Sequence, residues 1–94
     1  MGKSQGIHRH TAEINFKKAR TSIDTIIAML EEHRYCVDIM QQNLAVIGLL
    51  RSAHEQLMTN HLETCFASAM ASQSDTKKKR MTDEIKTLMK MYNK

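Results

Sequence analysis

From Cys36 to Cys65 the chain reads CVDIMQQNLAVIGLLRSAHEQLMTNHLETC, with no proline and a single glycine, Gly48. Nothing in that stretch stops a helix. Val37, Met40, Leu44, Ile47, Leu50, Leu57 and Leu62 recur at helical steps, with Ala53 and His54 bridging the widest gap, which predicts one long helix over about 36–66. A rod of that length constrains everything around it. His61 and Cys65 are four residues apart, so a helix stacks their side chains on one face, where two ligands can share an ion. Cys36 lies 25 positions before His61, roughly 37 Å away at about 1.5 Å per residue. Within one straight helix the three donors cannot meet. Two copies packed antiparallel would set Cys36 of one beside His61 and Cys65 of the other, and two-fold symmetry would make two such sites. The rods would cross near Gly48, where a missing side chain permits close approach. The alternative is a hairpin at Gly48, which would build the site within one chain. It is disfavoured because a lone glycine costs a helix only about 1 kcal/mol and no turn residues surround it.

Composition points the same way. The chain has no proline at all, three glycines, 41% hydrophobic and 4% aromatic residues, a balance that suits helices rather than a sandwich or barrel. Ninety-four residues make one small domain with a marginal core, for which oligomerisation is a natural remedy. The eight methionines are scattered at helix-compatible positions and read as core fillers. No apolar run reaches membrane-spanning length and the N-terminus is polar, so a cytoplasmic chain without a membrane partner is expected. In a reducing compartment Cys36 and Cys65 read as thiolate ligands or redox sensors, and one helix holds them beyond disulfide reach. No carboxylate pair, phosphate loop or nucleophile with an evident base argues for an enzyme.

Residues 1–11 read as a flexible tail carrying His8 and His10, either of which would serve as an extra ligand to a metal that needs four donors. Residues 12–94 form a single helical domain. Thr11 and Glu13 suggest a helix start, and Ile14, Phe16, Ala19, Ile23, Ile26, Ile27 and Leu30 carry that helix over about 12–34. After Phe66 the run ASAMASQSDTKKKR reads as a connection. A last helix over about 77–92 then places Met81, Ile85, Leu88 and Tyr92 on one face. Charge is unevenly spread. Residues 1–34 carry six Lys or Arg against four acids, residues 35–70 one against three, and residues 71–94 seven against three. The formal net charge of +4 is enough, multiplied by assembly, to attract a polyanion.

Tyr35 with Cys36, the run DIMQQNLAVIGLL at 38–50 and HLETC at 61–65 resemble the CsoR/RcnR family of bacterial metal-sensing repressors. The resemblance covers residues 12–66 well and the last helix loosely. It implies an all-α, three-helix protomer that dimerises through its antiparallel second helix and assembles into a flat tetramer, a dimer of dimers. Cys36, His61 and Cys65 match the ligand set of the Cu(I) sensors in that family. Two soft thiolates and an imidazole suit three-coordinate Cu(I), whereas Zn(II) would seek a fourth donor. An N-terminal histidine such as His8 or His10 would point to Ni(II) or Zn(II) instead. The resemblance also implies outer partners: Tyr35 just before the first ligand, and Glu84 on the last helix, whose carboxylate would accept from the free N–H of His61.

The implied function is a repressor that binds operator DNA in the apo form through Lys17, Lys18, Arg20 and Arg51, and is released by Cu(I). Some positions depart from the family. Its first helix commonly reads Arg-x-x-Gly-Gln-x-Arg, where this chain has Lys18, Thr21, Ser22 and Asp24, and Ile47 stands where an arginine is often found. Losing cations and gaining an anion weakens phosphate contacts. The other readings are therefore a copper-buffering protein that has lost DNA recognition and a thiol-based redox sensor using Cys36 and Cys65.

Overall fold

A computed structural model of the protein describes residues 6–93. Its elements are α1 (Gly6–Glu31), α2 (Cys36–His61), a π-helical turn (Leu62–Phe66), α3 (Ala67–Ala71) and α4 (Asp75–Tyr92), with no strand among the described residues. The expected all-α class is what the chain adopts. The residues flanking the π turn, His61 and Ala67, keep right-handed helical backbone angles, so α2, the turn and α3 form one continuous rod.

The first helix begins at Gly6, earlier than the sequence suggests. Thr11 does not cap it; its hydroxyl donates to Ile7 O at 2.9 Å from inside the helix. The extra turn is held from outside, because the His8 ring lies 3.1 Å from Gln56 Oε1 and 3.0 Å from Glu63 Oε1 across the hairpin. Residues 1–5 of the expected tail lie outside the described residues. α1 ends at Glu31 rather than at 34. His33 adopts φ 57°, and the backbone bonds Arg34 N to Met29 O (2.9 Å) and His33 N to Leu30 O (3.2 Å) close a Schellman cap around it. A left-handed residue with a Cβ is strained by about 1–2 kcal/mol. His33→Gly is therefore expected to raise stability by about 1 kcal/mol, read as a higher urea midpoint at unchanged m-value.

The alanine-rich segment after Phe66 also stays helical, in place of the connection expected there, because alanine is the strongest helix former. The helix stops at Ser72, whose backbone is extended (φ −75°, ψ 164°) and whose hydroxyl donates to Ala69 O at 2.7 Å. Ser74 then caps α4 by accepting from Lys77 N at 3.2 Å. The basic run at 77–80 thus sits in the first turns of α4.

α1 and α2 pack antiparallel, with Asn15 Nδ2 donating to Ser52 Oγ at 3.1 Å near the middle. Their contact is lined by Ala12, Ala19 and Met29 from α1 and by Val46, Ala53 and Asn60, one every seven residues, from α2. Small residues bring the rods close, but among the described residues no large side chain is fully buried. The molecule measures 59 × 29 × 14 Å, so it is barely thicker than one helix, whose diameter is about 10–12 Å. A single layer leaves apolar surface open on the side of α2 turned from α1, including Met40 (55% exposed), Leu44 (66%) and Ile47 (42%). Domains of this kind are completed by a second layer.

Candidate metal centre

Cys36 is the first residue of α2 and is exposed; His61 is the last, and Cys65 lies in the π turn. Because α2 runs unbroken through Gly48, the hairpin alternative does not occur and Cys36 stands a full helix length from His61. Among the described residues of one protomer no three His, Cys, Asp or Glu side chains form a metal-sized group. Open space surrounds Gly48, where an added Cβ would meet nothing within 4 Å.

The π turn re-spaces the rod between His61 and Cys65, a deformation common at functional sites. The Thr64 hydroxyl donates to Asn60 O at 2.7 Å and lies 3.7 Å from Cys65 Sγ. Both cysteines are free thiols. The turn is braced on its outer side by the contact of Glu63 with His8.

α4 folds back along α2 and is tied to it at two places. At its far end the Tyr92 ring stacks on His54, with centroids 4.4 Å apart and planes at 17°, and the Tyr92 hydroxyl donates to Glu55 Oε2 at 3.3 Å. At its near end Met81 Sδ lies 3.1 Å from His61 Nε2. Glu84, expected from the resemblance to hold the His61 ring, lines the same cleft as His61, but the ring nitrogen Nε2 contacts Met81 instead. Tyr35 sits before Cys36 at the opposite end of the rod and is 70% exposed. His10 is exposed and lines a different groove from the one that His61 faces.

That second groove gathers part of the expected cationic set. Lys17 and Arg20 line it together with Arg9, Glu13 and Phe16, while Lys18 and Arg51 do not. Lys17 Nζ is paired with Glu13 at 3.3 Å; both side chains are largely exposed, so the pair adds little to stability. Arg9 was not singled out from the sequence because it falls where no helix was expected. Met81 was read only as part of an apolar stripe. Its pairing with His61 spans 20 residues of chain, and no local pattern marks it.

A family model described as metal-sensitive transcriptional repressor matches residues 14–94. The chain is 50% identical over 54 residues to the copper-sensing transcriptional repressor CsoR of Mycobacterium ulcerans, covering 57% of this chain and 46% of that protein. It is 40% identical over 70 residues to CsoR of Mycobacterium tuberculosis, covering 74% and 59% respectively. It is 34% identical over 55 residues to the copper-sensing repressor RicR of the same species, covering 58% and 57%. The chain thus spans about half the length of the curated relatives it matches. No solved structure matches it.

Proposed function

This chain belongs to the metal-sensitive transcriptional repressor family, and on that premise we propose that it is a Cu(I)-responsive repressor whose metal site forms between two protomers. Repressors rather than enzymes make up the family. Cys36 of one protomer and His61 and Cys65 of its partner would hold the ion. Relatives named as copper sensors support the choice of metal, and so does the softness of two thiols and an imidazole. The observation that carries the reading is the straight α2, with one donor at its start and two at its end. An antiparallel partner laid on the open face of Met40, Leu44 and Ile47 would complete both the core and the site. Two such dimers would form the flat tetramer that the resemblance implies, acting in the cytoplasm.

Cu(I) supplies a charge and a coordination demand that tie the start of one α2 to the end of the other. The remaining work belongs to the protein. The Met81 contact and the cleft holding Glu84 link the His61 ring to α4, and the His8 contact links the π turn to the first turn of α1. Copper at His61 and Cys65 would therefore be felt at the cationic groove of α1, where operator phosphates would bind. By linkage, DNA and Cu(I) weaken each other's binding by the same factor.

A mobility-shift assay with promoter DNA tests this: apo protein retains a specific duplex and Cu(I) releases it. Retention indifferent to Cu(I) would reject the repressor reading. Arg20 lines the groove without an acidic partner within 4.0 Å among the described residues. Arg20→Ala is expected to lower DNA affinity about tenfold and to reduce the slope of log K against log salt by about 0.9, as loss of one phosphate contact requires. The buffering alternative rests on Thr21 and Asp24, exposed on α1, and on Ile47, exposed on α2. It would be favoured by tight Cu(I) binding with no salt-sensitive DNA affinity. A Ni(II) or Zn(II) site using His8 is opposed by the present engagement of both its ring nitrogens with Gln56 and Glu63.

A further inference from the structure

We propose that the first turn of α1 is a releasable part of the DNA surface, held in place by His8 and let go when the metal site closes; this rests on the repressor reading given above. Among residues 6–10 only His8 is not exposed. The turn has little of its own to keep it helical, since it opens on Gly6 and carries no acid to complement the helix dipole. Its anchor is the His8 ring, with Nδ1 3.1 Å from Gln56 Oε1 and Nε2 3.0 Å from Glu63 Oε1. A neutral ring suffices for this bridge, because Nε2–H donates to the carboxylate while Gln56 turns its amide to donate to Nδ1.

Glu63 is where the anchor meets the metal site. It lies in the π turn two residues from His61 and two from Cys65, and helical steps of about 100° put it on roughly the opposite side of the rod from both. Drawing His61 and Cys65 together around an ion therefore re-aims the carboxylate that holds His8. Asn60, on the same face as Gln56 and Glu63, is buried, and its Oδ1 has no partner among the described residues. Opening the turn to water satisfies that acceptor, which offsets part of the cost of release. The released turn carries Arg9 and His10, which line the cationic groove with Lys17 and Arg20. DNA thus loses part of its binding surface through the unwinding of one turn.

The test uses the full-length protein and follows amide hydrogen exchange at residues 10–13, whose N–H groups close the first turn of α1. These amides are expected to be protected in the apo protein, and Cu(I) is expected to speed their exchange about tenfold. His8→Ala should exchange that fast without Cu(I) and hold promoter DNA about tenfold more weakly. It should bind Cu(I) no more weakly than wild type, because no anchor remains to be broken. A residue that merely supported the fold would lower copper affinity as well, so a weaker copper site in His8→Ala overturns the proposal. Glu63→Gln, which keeps an acceptor for Nε2–H, should retain wild-type protection, and Glu63→Ala should lose it. Amides that stay protected while Cu(I) releases wild-type protein from DNA overturn the proposal and leave the repressor reading standing. Wild-type DNA binding that is indifferent to Cu(I) instead rejects the repressor reading, and the proposal with it.

Discussion

Cys36→Ala is expected to weaken Cu(I) binding by more than about 100-fold while leaving the helical content of the protein unchanged. Loss of an outer-shell partner alone typically costs 10–100-fold in metal affinity, and Cys36 would be one of three inner donors. The fold should not notice the change. Cys36 is exposed at the first position of α2, where alanine is a good helix former. Residual binding at His61 and Cys65 would remain, weak and confined to one protomer. Competition with a Cu(I) chelator measures the loss directly, and far-ultraviolet circular dichroism checks the helices. Equal affinity in the variant would mean that the three donors do not act together.

Leu44→Glu should convert the assembly to protomers that neither dimerise nor hold copper tightly. In an isolated protomer Leu44 is 66% exposed, so the substitution should alter stability by no more than about 0.5 kcal/mol. Against an antiparallel partner the same carboxylate would be buried in the interface, once on each side of the two-fold axis. An uncompensated buried charge costs about 3–5 kcal/mol, which corresponds to a rise of roughly 10²–10³-fold or more in the dimer dissociation constant. Sedimentation equilibrium reports the mass and chelator competition reports the copper. Both should fall together, because an intersubunit site cannot outlive the interface. A variant that stays oligomeric with native copper affinity would place the interface elsewhere.

How much of this was written locally in the chain differs from element to element. The long second helix was legible because its apolar spacing and its freedom from proline extend over so many residues that no competing pattern fits. The pairing of His61 with Cys65 followed from their four-residue spacing, and the isolation of Cys36 followed from helix rise alone. The first six residues of the observed α1 were not legible, since Ile7, His8 and Arg9 show no amphipathic period. What holds that turn is tertiary, the contact of His8 with Gln56 and Glu63. The helical Ala67–Ala71 segment was misread because serine and alanine mixed together look like a linker, although alanine favours the helix and the preceding rod needed only to continue. Met81 illustrates the general limit. A methionine on an apolar stripe looks like packing until the fold puts its sulfur against a particular nitrogen.

The same limit applies to electrostatics. Lys17, Lys18, Arg20 and Arg51 look alike as cations in the sequence, yet the fold gathers Lys17 and Arg20 with Arg9 in one groove and leaves Lys18 and Arg51 outside it. Helical phase separates neighbours such as Lys17 and Lys18 by about 100°. The groove, rather than the count of basic residues, is therefore the surface on which DNA contact should be sought.

Everything turns on whether donors stranded at opposite ends of one rod are united by a second chain, and subunit mixing decides it. Cys36→Ala protein and protein carrying both His61→Ala and Cys65→Ala should each fail to bind Cu(I) tightly alone. Unfolded together and refolded under anaerobic conditions, they should regain tight binding at about one ion per mixed dimer, because one of its two sites then has all three donors. If the mixture binds no more tightly than its separate components, the site does not lie between two protomers and the account is wrong.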